Sequence, residues 1–68
     1  MSNEEKEIFD NTLKHFTEQY GLTIKYPYND SYLEIYKNNN NLGGLNPSGY
    51  NLLRNLRELC SILEQELV

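Results

Sequence analysis

The sequence predicts an α+β fold: one small domain built as a helix, a β-hairpin and a second helix, the two helices packed on one face of a small antiparallel sheet. Three observations carry this expectation. Apolar residues recur at helical spacing near both ends of the chain. Between them, Leu22–Tyr26 and Tyr32–Tyr36 alternate in the manner of half-buried strands. At 68 residues the chain suits a single domain, residues 1–68, with no internal repeat.

The first helix is expected over residues 3–20. Ser2-Asn3-Glu4-Glu5 has the pattern of a capping box, with Ser2 at the N-cap and Glu5 at N3. Its acidic first turn suits the positive end of the helix dipole. Ile8, Phe9, Thr12, Leu13, Phe16 and Tyr20 form one stripe, and Glu7, Asp10, Asn11, Lys14 and Glu18 fall on the other face. Asp10–Lys14 and Lys14–Glu18 add i,i+4 pairs worth a few tenths of a kcal/mol each. Gly21 stands where a helix-ending glycine belongs.

The hairpin follows. Leu22, Ile24 and Tyr26 share one face of the first strand, and Pro27 ends its regular pairing. Tyr28-Asn29-Asp30-Ser31 has turn chemistry. On the second strand Leu33 and Ile35 share a face, while Tyr32, Glu34 and Tyr36 point the other way. The Asn38–Asn41 run with Leu42-Gly43-Gly44-Leu45 reads either as a flexible loop or as a short third strand broken by glycines.

The second helix is expected over 48–67, with Asn46 or Ser48 as its cap and Pro47 in its first turn. Leu53, Leu56, Cys60, Leu63 and Leu67 recur at spacings of three and four, and Leu52 and Leu59 widen the stripe. Ile62 falls about 120° from the stripe's centre and is expected to be exposed.

Composition narrows the function. Ten acidic residues face six basic ones, for a net charge of −4. Nucleic-acid binding draws on a basic face, and here the lysines are scattered and only Arg54 and Arg57 sit together. The one cysteine, Cys60, forms no internal disulfide, the acidic N-terminus has no leader pattern, and no apolar run reaches membrane-spanning length. The expected setting is the cytoplasm. Ten Asn, six Tyr and no Ala point to a genome poor in G and C, and to a phage or mobile element as a carrier.

Catalytic chemistry finds no support in the sequence, and no enzyme activity, cofactor or metal is expected. His15 and Cys60 are the only histidine and cysteine, and Cys60 lies within the apolar stripe, where a thiol acts as a small hydrophobe. No ligand set has metal-binding spacing, and Glu64 and Glu66 lie on different helix faces. Gly43, Gly44 and Gly49 lack the Lys-Ser or Lys-Thr pair of a phosphate loop, so Gly43-Gly44 is read as turn glycine.

The tyrosines are more informative. With Leu33 and Ile35 turned to the helices, Tyr32, Glu34 and Tyr36 occupy the outer sheet face beside Thr23 and Lys25, with Tyr28 at the hairpin tip. Tyrosine suits strands in any case. It is also enriched at binding hot spots, because its ring buries area at small entropy cost. The partner-binding candidates are therefore Tyr28, Tyr32, Glu34 and Tyr36, and the expected function is inhibition or regulation by binding a protein with a basic surface.

Two other readings stand beside it. Helix 48–67 has near-heptad spacing that suits self-association as a homodimer. The order helix–strand–strand–(strand)–helix is also similar to the double-stranded-RNA-binding domain. Gly21–Tyr26, GLTIKY, stands where that family passes from its first helix into its first strand. The resemblance implies a lysine-rich start to the last helix near Pro47–Leu52. Here those residues are PSGYNL, so the resemblance covers topology.

Overall fold

The computed structural model describes residues 2–29 and 31–64 in full and the helical backbone through residue 67. Asp30 of the expected turn and the side chains of Glu66 and Leu67 lie outside the described residues. The elements are α1 (Asn3–Tyr20), β1 (Leu22–Lys25), β2 (Leu33–Lys37), β3 (Asn40–Leu45), a 3-10 turn at Pro47–Gly49, and α2 (Leu52–Leu67). The sheet is antiparallel in the order β1-β2-β3. α1 lies over β1, α2 lies over β3, and the helices touch each other.

The start and end of α1 follow from local chemistry. The Ser2 hydroxyl accepts from the Glu5 amide and the Glu5 carboxylate accepts from the Ser2 amide, each at 3.2 Å. These bonds hold the Glu5 carboxyl below the usual glutamate range, the backbone bond to Ser2 contributing most. At the other end Gly21 takes the left-handed conformation (φ 67°), and its N–H donates to the Thr17 carbonyl. Phe9 and Leu13 are buried and Phe16 is half-buried. Ile8, expected in that stripe, is 49% exposed, because it stands at its edge.

The core is one cluster: Phe9 and Leu13 from α1, Leu33, Ile35 and Leu45 from the sheet, and Leu59, Ile62 and Leu63 from α2. Leu22 and Ile24 pack against it from β1, as their alternation predicts. β1 ends at Lys25, so Tyr26 lies outside the strand and is exposed.

The ambiguous glycine segment is a strand. A two-residue connection, Asn38-Asn39, joins paired Lys37 and Asn40, with Asn38 in the left-handed region (φ 57°). Asparagine tolerates that conformation better than most residues. The register then slips by one. Ile35 faces Gly43 while Tyr36 faces Asn41, so Leu42 is the extra residue of a β-bulge. Gly43 and Gly44 are therefore strand residues rather than turn glycines, and each has a packing role. A Cβ on Gly43 would stand 3.1 Å from the Ile62 side chain on the inner face, and its φ of 146° is one that side chains rarely adopt.

α2 starts later and is rotated relative to the sequence expectation. Asn46 makes no capping bond from its side chain, and Pro47–Gly49 forms a separate 3-10 turn. The cap is Asn51, whose Oδ1 accepts from the Arg54 amide at 2.9 Å. The buried face comprises Asn55, Leu59, Ile62 and Leu63, flanked by half-buried Leu52 and Leu56. Leu53 is 60% exposed and Cys60 is exposed, whereas Ile62 is 6% exposed. Asn55 is wholly buried on this face, and its Nδ2 donates to the carbonyls of Pro47 (2.9 Å) and Tyr50 (3.5 Å). With Ile62 packed over Gly43 and Asn55 tied to the incoming turn, the buried face lies roughly 70° from the leucine stripe, at 3.6 residues per turn.

This rotation predicts a reversal of the two mutational costs. Ile62→Ala should cost about 2–4 kcal/mol, as a buried large-to-small change. Leu53→Ala should stay within about 0.5 kcal/mol. Urea denaturation of both variants measures the difference. A larger loss at Leu53 would contradict the observed face.

Candidate tyrosine face of the sheet

β2 positions the candidate site. Leu33 and Ile35 are buried against the helices, so strand parity turns Glu34 and Tyr36 outward. Pairing completes the surroundings. Glu34 lies between Lys25 and Gly44, and Tyr36 lies between Thr23 and Asn41.

The side chains form a connected set. The Tyr36 hydroxyl donates to Glu34 Oε1 at 3.4 Å, and Asn41 Nδ2 donates to Glu34 Oε2 at 2.8 Å. Both oxygens of the carboxylate are thus held while it remains half-buried at the centre of the face. The Lys25 ammonium sits 4.4 Å from the centroid of the Tyr36 ring, within cation–π range. Burial, and then the neighbouring Glu34 charge, push the Tyr36 hydroxyl above the usual tyrosine range.

Tyr32 takes its place from a glycine. Its ring lies over Gly44, so that a Cβ there would come within 2.7 Å of Cζ. Tyr28, 82% exposed at the hairpin tip, packs its ring 5.8 Å from that of Tyr32 at a tilt of 37°. Asn29 closes the tip by accepting from the Ser31 amide (2.8 Å) and from its hydroxyl. The structure therefore brings Tyr28, Tyr32, Glu34 and Tyr36 onto one face. It adds two residues that sequence reasoning missed, Asn41 and Gly44. Both sit on β3: the two-residue turn at Asn38-Asn39 places Asn41 opposite Tyr36, and the bulge beyond it places Gly44 opposite Glu34.

Elsewhere the chemistry is sparse. Cys60 lies in a shallow depression with Leu56, Arg57, Ser61 and Glu64, not in the core as the leucine stripe suggested. His15 is exposed on α1, edge-on to Phe16 at 5.7 Å. Among the described residues no three His, Cys, Asp or Glu side chains are grouped to hold a metal ion. Nor is any helix among them long and apolar enough to cross a membrane. Comparison with family models, with curated proteins and with solved structures finds no match.

The tyrosine face has a titration signature. Tyr36 should ionise above the usual tyrosine range in a spectrophotometric titration. Glu34→Gln should bring its ionisation to lower pH. The sign for stability follows: the raised folded value favours the neutral hydroxyl, so its contribution is intact below the unperturbed value of about 10 and is lost as pH climbs through the folded value. A Tyr36 that ionises within the usual tyrosine range would contradict the cluster.

Proposed function

We propose that this chain is a small cytosolic interaction module that binds a basic surface of another protein through the outer face of its sheet and so inhibits or regulates it. A phage or mobile element is the carrier that its composition favours. The observation that supports this reading is the Tyr32–Glu34–Tyr36 set: a carboxylate fixed between two aromatic rings, one of which already seats a cation from Lys25. Such a face is made for lysine or arginine side chains, because the ring quadrupole and the carboxylate attract the same charge. The chain's net charge of −4 steers it toward a basic partner from a distance. Tyr32 and Tyr36 are held by Gly44 and Glu34 before any partner arrives, which lowers the ordering cost of binding.

The test begins with a tagged capture from host lysate at moderate salt, followed by calorimetric titration of the enriched protein. Tyr32→Ala with Tyr36→Ala should weaken binding at least tenfold, about 1.4 kcal/mol, with the far-UV circular dichroism unchanged. Glu34→Lys is the second variant, reversing the central charge while leaving both rings. It should weaken binding similarly. Undiminished affinity in both folded variants would overturn the face. An electrophoretic shift with duplex RNA at low salt that ignores these variants would replace the reading with nucleic-acid binding.

A further inference from the structure

The rotation of α2 leaves an unused surface on its outer side. Leu53, Arg57 and Ser61 form one ridge at i, i+4, i+8, and Leu56, Cys60 and Glu64 form the next. Between these ridges runs a groove lined by Leu56, Arg57, Cys60, Ser61 and Glu64. A second groove, containing Leu53, Arg54 and Glu58, runs along the other side of the first ridge. Leu53 at 60% exposure, the exposed Cys60 and the half-buried Leu56 give the surface an apolar strip. The fold covers Leu56 in part and leaves Leu53 and Cys60 uncovered, because Ile62 and Asn55 occupy the inner face of the helix.

The charges on this face are ordered along the helix. Within the first groove Arg57 lies toward the start of the helix and exposed Glu64 seven residues beyond it, while Arg54 and Glu58 both lie in the second groove. A helix of that polarity is complementary to itself when reversed. We propose that the outer face of α2 pairs with the same face of a second copy, antiparallel about a two-fold axis near Cys60 and Ser61. The Leu53–Arg57–Ser61 ridge of one copy then lies in the groove between the two ridges of the other, the commonest way in which helices pack. This register sets Arg57 against Glu64 of the second copy, and symmetry repeats the pair. The small side chains of Cys60 and Ser61 at the crossing let the backbones approach. One helix face buries less than a standard interface of about 1,600 Å², so the association is weak.

Sedimentation equilibrium from about 10 µM to about 1 mM, where weak pairing of this size is read, tests it. The reduced protein should move from monomer to dimer across that range. Arg57→Glu and Glu64→Arg should each weaken the dimer at least tenfold, since each sets like charges against one another. The double variant Arg57→Glu with Glu64→Arg should restore it. Both positions are exposed, and circular dichroism confirms the fold of each variant. A monomer at every concentration overturns the proposal. So does a dimer indifferent to the single reversals, or one that the double variant does not restore. Tyr32→Ala with Tyr36→Ala should leave the dimer unchanged, which separates this interface from the sheet face.

Discussion

Two adjacent glycines set the arrangement of both layers. Neighbouring residues of a strand point to opposite faces, so Gly43 and Gly44 clear space on opposite sides of β3. Inside, the missing Cβ of Gly43 admits Ile62 of α2. Outside, the missing Cβ of Gly44 admits the ring of Tyr32. The bulge at Leu42 decides which glycine serves which face, because a slip of one residue would exchange them. The depth of α2 over the sheet and the seat of the outer tyrosine therefore share a single origin, a four-residue segment that looks unstructured by composition.

The same contact explains why α2 hides a polar residue and shows a leucine. Once Ile62 occupies the space over Gly43, the inner face of the helix must also carry Leu59, Leu63 and Asn55. An asparagine is acceptable there because the Pro47–Gly49 turn ends in backbone carbonyls that need donors, and Asn55 Nδ2 supplies them to Pro47 and Tyr50. Leucine at that position would leave those carbonyls without this donor. The cost of the arrangement is borne on the outside, where Leu53 and Cys60 face away from the core.

The parts of the fold that were legible in the sequence are those specified locally. The Ser2–Glu5 box, Gly21 and the alternation around Leu33 and Ile35 each act within a few residues, and each stands where expected. Strand parity alone was then enough to turn Glu34 and Tyr36 outward. β3 was ambiguous because asparagine and glycine favour turns over strands, and the segment becomes a strand only through pairing with β2. The helix face was misjudged for a related reason. Counting leucines at spacings of three and four weighs what a side chain is, not what it meets. Neither the gap over Gly43 nor the carbonyls near Asn55 can be counted that way. Asn41 escaped notice because its place depends on β3 pairing through the Asn38-Asn39 turn, and Gly44 because its place depends on a register shift that no single-strand pattern encodes.

The two-layer architecture gives the surfaces a fixed relation. The helices cover one face of the sheet, so the tyrosine face and the outer side of α2 look away from each other across a domain only 17 Å thick along its shortest axis. If two copies join through α2, both tyrosine faces stay open and point outward. The pair is then bivalent, and a partner that repeats its basic surface is held at two points. The second contact forms at an effective concentration set by the rigid span between the faces, so modest affinity at each sheet is multiplied where the spacing of the partner's sites fits. A 68-residue domain has little area to spend at any one interface. On the proposed readings, dividing recognition from pairing between opposite faces would let so small a fold bind tightly without a larger site.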